Sequence, residues 1–168
     1  MKPKILFILH LPPPIHGAAM MGKYIQESEL VNSSFDCFCI NLATAGSLSD
    51  IGHISLKKLL KYFFLLKHIS HVVREIRPEL VYITPNAGGK AFFKDFIVVQ
   101  MLKSMGCKVI AHYHNKGVSV YQSKWVYNFF YKRFFSNLKV ILLAENLYKD
   151  IAKYVKREDV YICPNGIP

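Results

Sequence analysis

Apolar and polar positions along the chain switch repeatedly between two periods. Short apolar runs, the mark of buried strands, are separated by stretches in which apolar residues recur every three or four positions, the mark of helices. Lys4–Leu9 predicts a first strand, stopped by Pro12-Pro13-Pro14. A helix is expected from near Gly17 to about Leu30, and a second strand over Phe35–Leu42, rich in β-favouring residues. Ala43–Gly52 reads as a loop of small and polar residues. Leu56, Leu59, Leu60, Phe63, Leu66, Ile69, Val73 and Ile76 then mark an amphipathic helix that Pro78 ends.

The alternation continues to the last residues. Leu80–Thr84 predicts a brief strand, Lys90–Met105 a helix closed by Gly106, and Cys107–Tyr113 a strand. Ser123 is placed to cap a helix reaching Phe135, and Lys139–Ala144 is a further strand. A short helix from Glu145 to about Val155 and a strand over Val160–Cys163 complete the pattern. This β-α-β-α order, with helices long enough for parallel crossovers, predicts the α/β class: a doubly wound, Rossmann-like parallel sheet of about six strands with helices on both faces.

The length of 168 residues suits one domain, and 52% hydrophobic against 20% charged residues rules out a disordered chain. A formal net charge of +11 points to an anionic partner: a nucleotide, a nucleic acid or an acidic membrane surface. The cysteines do not form a framework. Cys37 and Cys39 would share one face of a strand, Cys107 and Cys163 are isolated, and all four read as reduced packing residues of a cytoplasmic protein. Lys2, Lys4 and the run Ile5–Leu9 imitate a signal peptide, but His10, the prolines and the lack of a cleavage site favour a buried strand. No stretch reaches the roughly 18 apolar residues of a membrane span.

Ligands of open α/β sheets bind beyond the carboxyl ends of the strands. There the sequence places His10, His16 and Gly17, then Asn86, Gly88 and Gly89, then His112, His114, Asn115, Lys116 and Gly117, then Glu145. In the Rossmann strand order the first and fourth strands are neighbours, which would bring His10, His16, His112 and His114 to one edge. Neither a G-x-G-x-x-G nor a G-x-x-x-x-G-K-[ST] motif occurs, which argues against a dinucleotide dehydrogenase and a P-loop nucleotidase. Gly17, opening a helix after a proline-stiffened turn, would let a phosphate or sugar approach the backbone, or would simply close the turn.

A strand ending in prolines and followed by a helix-opening glycine resembles the start of the family 4 retaining glycosyltransferases. Arg77-Pro78-Glu79-Leu80-Val81-Tyr82 is similar to a helix-to-strand segment of that family. Gly106-Cys107-Lys108-Val109-Ile110-Ala111-His112-Tyr113-His114 resembles the strand that delivers its cleft histidine, with His114 at the histidine position. Val140–Glu145 and Pro164-Asn165-Gly166-Ile167 resemble its next strand and the lead into its second domain. Two departures concern acceptor contacts: Ala19 stands at a glutamate position, and Ala144 where a serine usually precedes Glu145.

The resemblance implies that residues 1–168 form the N-terminal, acceptor-side half of a two-domain GT-B enzyme. The donor-binding C-terminal domain would be absent from this chain, leaving it inactive alone. The implied activity is hexosyl transfer, with retention, from a nucleotide-sugar donor to a glycan or lipid-linked acceptor, as in making a cell envelope polysaccharide. His114 would be catalytic, with Gly17, His16, Asn86, His112, Asn115 and Glu145 binding donor or acceptor; no cofactor or metal is implied, and no Asp-x-Asp is present.

Three other readings compete for the same residues. His112 and His114 form a His-x-His pair that zinc could use to activate water, though no carboxylate lies in that segment. Lys57, Lys58, Lys61 and Lys67 beside Tyr62, Phe63 and Phe64, and the stretch Ser123–Phe135, mix cations with aromatics. Single-stranded nucleic acid is bound by such mixtures, but aromatics at helical spacing more often form a core, and no nucleic acid is expected. The helix around Phe63 is apolar on more than one face, which fits peripheral contact with the anionic inner face of a membrane better. The alternative to the enzyme is therefore a membrane- or nucleic-acid-binding module without catalysis.

Overall fold

The computed structural model describes residues 1–13, 15, 17–42 and 56–166. The loop expected over Ala43–Gly52 and the candidate His16 lie outside the described residues. The strands are β1 (Lys4–Leu9), β2 (Asp36–Asn41), β3 (Leu80–Ile83), β4 (Val109–Tyr113), β5 (Lys139–Leu142) and β6 (Val160–Ile162). The helices are α1 (Gly17–Glu27), α2 (Glu29–Ser34), α3 (Leu56–Ile76), α4 (Gly89–Ser104), α5 (Val118–Tyr121), α6 (Trp125–Phe135) and α7 (Tyr148–Ile151). The six described strands form one all-parallel sheet in the order β2-β1-β3-β4-β5-β6, flanked by the helices. The doubly wound α/β class expected from the pattern is the one observed. Its strand order differs from the Rossmann order: β3 stands between β1 and β4. The premise that the first and fourth strands are neighbours, on which the gathering of four histidines rested, therefore does not hold.

The chain forms two compact units, Met1–Tyr82 and Ile83–Pro168. In the first unit β1 pairs with β2 in register from Lys4 opposite Asp36 to Leu9 opposite Asn41. Burial of both faces explains why β1 is one continuous apolar run. Leu6, Ile8 and Leu9 are fully buried, and Ile5, Phe7 and Leu9 pack against Ile25, Val31, Phe35, Leu80 and Tyr82. The helix expected as far as Leu30 is two helices. Ser28 takes an extended conformation and its hydroxyl accepts the Val31 N–H at 3.3 Å, capping α2 and ending α1. Along α3 only Tyr62, Ile69 and Val73 are fully buried, whereas Leu56, Leu59, Leu60 and Phe63 of the expected core stripe are exposed. The first turns of this helix carry apolar residues all round, so spacing alone could not select the inward face. Arg77, with φ of 50° and its N–H on the Val73 carbonyl, closes α3 before Pro78.

In the second unit β4, β5 and β6 pair in register, with Tyr113 opposite Leu142 and Leu142 opposite Ile162. Gly106 ends α4 as expected. At φ of 79° its N–H reaches the Lys103 carbonyl, and the Cys107 N–H reaches the Leu102 carbonyl at 3.1 Å. Cys107 thus belongs to the helix cap and β4 begins at Val109. The cap of α6 falls on Lys124 rather than Ser123, and the helix expected over Glu145–Val155 is a 3-10 turn, Glu145–Leu147, followed by α7. The Lys103 ammonium donates to the Phe134 and Ser136 carbonyls, both at 2.6 Å, closing the carboxyl end of α6. Phe92 of α4 sits 4.6 Å from Tyr131 and 5.5 Å from Phe134, the centre of an aromatic core that Phe135 and Tyr154 extend by stacking at 5.7 Å. All four cysteines are free; Cys37 and Cys107 are half-buried, but Cys39 and Cys163 are exposed rather than packed.

Two substitutions test this packing. A Cβ on Gly22 would lie 2.2 Å from the His10 carbonyl oxygen, while one on Gly17 would meet nothing within 4 Å. Gly22→Ala is expected to cost about 1–3 kcal/mol in a urea titration, with Gly17→Ala close to wild type; equal effects would show that α1 does not press on the end of β1. Tyr113 is almost wholly buried, and its hydroxyl has no hydrogen-bond partner among the described residues. Tyr113→Phe is therefore expected to leave stability unchanged or raise it by about 1 kcal/mol, and a clear loss would reveal a partner for that hydroxyl.

Candidate functional site

The candidate site lies in the second unit, where β3 and β4 end. Side chains alternate along a strand, so His112, in β4, and His114, one residue past its end, face the same side while Tyr113 turns the other way. The two imidazole centroids are 4.2 Å apart, with planes inclined at 40°. Burial pushes His112 down to about 3, and the neighbouring His114 adds to the shift. Burial also lowers His114; the Asn165 side chain faces that ring and partly offsets the effect. At neutral pH both rings are uncharged, so each offers one N–H donor and one lone pair. Both ring nitrogens of His114 are shielded within the fold, and among the described residues Asn165 is the polar side chain that faces them, without a hydrogen bond of full geometry.

The loops around this pair are held by side chains from distant segments. After β3, the Asn86 N–H and Nδ2 both donate to Asp95 Oδ2, at 2.7 and 2.8 Å. Asp95 lies on α4, 2% exposed, and burial raises its carboxyl to about 6 despite those donors. The next residue, Ala87, gives its N–H to Asn115 Oδ1 at 3.0 Å, and its carbonyl accepts the Tyr131 hydroxyl at 2.5 Å. A Cβ on Gly88 would collide with the Tyr121 ring at 2.3 Å, so glycine is needed for that approach. After β4, the Gly117 and Val118 amides donate to Asp150 Oδ2, and the Ser119 amide and hydroxyl donate to Oδ1. Burial alone would raise Asp150, but the Ser119 hydroxyl and the three amides outweigh it and hold the carboxyl below its usual range.

Of the residues singled out in the sequence, His112, His114, Asn86 and Asn115 fall on these two loops or the strand end beneath them. Asn86 and Asn115 act within the protein, fixing loop backbone. Glu145 is exposed and makes a two-point pair with Arg157, whose Nε and Nη2 lie 2.9 and 2.7 Å from its two carboxylate oxygens. Gly17 opens α1 in the first unit, beside open space. Sequence reading missed Asp95, Asp150 and Arg157. A lone carboxylate on the apolar α4 was a visible signal for Asp95, since a buried acid needs donors. Asp150 gave no such signal, because its partners lie more than 30 residues earlier. The zinc reading finds no third ligand: among the described residues no group of three His, Cys, Asp or Glu side chains is placed to hold a metal.

Compared with protein-family models, curated proteins and solved structures, the chain matches none of them.

The raised Asp95 carboxyl sets a pH dependence. The folded state holds the Asp95 proton more tightly than the unfolded chain, so the stability it contributes is full below about pH 4 and lost as pH rises to about 6. Asp95→Asn stays neutral throughout. The wild-type urea midpoint is expected to fall relative to the variant's over that window and to run parallel above it. A difference that does not change with pH would mean that Asp95 is not held as a buried acid.

Proposed function

We propose that this chain acts as the acceptor-side domain of a two-domain retaining glycosyltransferase that uses a nucleotide-sugar donor, as its resemblance to family 4 implies. The observation that carries this reading is His114: a neutral imidazole at the end of a parallel strand, tilted against a second neutral imidazole and facing Asn165 of the Pro164-Asn165-Gly166 segment. Its nitrogens are shielded in this structure, so the reading requires the neighbouring Asn165 segment to give way to substrate. The neutral imidazole can then donate to a sugar hydroxyl or to charge that develops as the leaving group departs, without itself adding a positive charge to the ground state. His112 lies against it, and burial holds both rings toward the neutral form. Anchored loops after β3 and β4 would fix the position of that donor, which matters because misplacement by about 1 Å costs roughly 100-fold in rate.

In this reading a partner domain supplies the groups that hold the diphosphate, and the present domain presents the acceptor and His114. Binding of a nucleotide sugar to these 168 residues alone is then expected to be weak, with Kd of about 1 mM or above. In the two-domain enzyme, His114→Ala is expected to lower kcat by about 100-fold with little change in KM or in urea midpoint. Turnover would be followed with a panel of nucleotide sugars and lipid-extract acceptors, and product stereochemistry by NMR. Unchanged turnover would remove His114 from the mechanism, and inversion at the anomeric carbon, or no transfer with any donor, would overturn the reading.

A further inference from the structure

The first half of α3 presents a surface that the described residues of its unit do not cover. Tyr62, Ile69 and Val73 point into the core, and the turns from Leu56 to Phe64 carry a second apolar face on the other side. Leu56 is 74% exposed, Phe64 63%, and Leu59, Leu60 and Phe63 between one half and two thirds. Lys57, Lys61 and Lys67 are exposed on the same helix, and Lys67 Nζ lies 4.9 Å from the Phe63 ring centroid. No acidic residue occurs between Leu56 and Arg74.

We propose that this face of α3 docks on an anionic lipid bilayer, with the leucines and phenylalanines entering the headgroup and acyl boundary and the lysines meeting lipid phosphates. The composition of the patch selects this occupant. Three leucines fit an acyl environment but have nothing to stack on in a single-stranded nucleic acid, where aromatic faces do the binding. A second copy of the chain would bring the same lysines, and the same net charge of +11, against their like. Anionic lipid meets both halves of the pattern at once: apolar depth for the side chains and negative charge for the rim. The inference stands whether or not the chain takes part in sugar transfer.

Vesicles of phosphatidylcholine, with and without phosphatidylglycerol, test it directly on the whole chain. Trp125, on α6, is the single tryptophan, so Phe64→Trp in a Trp125→Phe background reports from α3 alone. Its emission is expected to shift to the blue with anionic vesicles, with binding at least about tenfold tighter than to phosphatidylcholine and weakened by salt. Leu60→Gln with Phe64→Gln, and separately Lys57→Gln with Lys61→Gln, alter exposed positions only and are expected to abolish cosedimentation while leaving the far-ultraviolet circular dichroism unchanged. Leu30→Gln, which removes an equally exposed leucine from α2, is expected to bind as wild type. Equal or absent binding to the two vesicle types, or binding that survives the α3 substitutions, would overturn the proposal. So would salt-sensitive binding of single-stranded nucleic acid, or self-association, that is lost with those substitutions while vesicle binding is absent.

Discussion

A loop that leaves a parallel strand and turns into a helix carries backbone amides that no ladder pairs, and burial makes unpaired amides costly. In the second unit this constraint organises the carboxyl edge of the sheet. Asp95 takes the Asn86 amide, Asn115 takes that of Ala87, and Asp150 takes three consecutive amides at the start of α5. The acceptors come from α4, from the β4–α5 loop and from α7, so each loop is anchored to an element distant in sequence. His114 immediately precedes Asn115, and its position is set by the same anchoring.

Burial around these loops also decides charge. Burial of Asp95 on α4 raises its carboxyl to about 6, and desolvation at the end of β4 drives His112 to about 3. An acid and a base are thereby both shifted toward their neutral forms. Asp150 goes the other way because four donors converge on it. Three titratable groups within one unit thus diverge: burial dominates at Asp95 and His112, and donors outweigh it at the less deeply buried Asp150.

Much of this could be read from one sequence. The alternation of periods located all six described strands, and the doubly wound class followed from their order. Gly106 and Pro78 ended helices where expected, because left-handed φ and a missing N–H act locally. The errors have equally local causes. Ser28 split a helix because its hydroxyl competes for the Val31 amide, and residues Glu145–Leu147 form a 3-10 turn ahead of α7 where one continuous helix was expected. Along α3 the apolar stripe held at Ile69 and Val73 but failed in the first turns, where a surface apolar all round gives periodicity no face to choose.

His112 and His114 could be paired from spacing alone, because a strand repeats every two residues and puts both imidazoles on one side. Strand order could not be obtained that way. Placing β3 between β1 and β4 depends on which edges pair, and many orders share one pattern of helices and strands. The same limit hid Asp150 and Arg157, whose partners are separated from them by 31 to 33 residues and by 12. The sequence by itself determined the local periods, the turns and the chemistry carried to the strand ends. Tertiary structure decided which carboxylate met which amide, and which side of α3 stayed in solvent, because those outcomes depend on contacts between segments that no local pattern encodes.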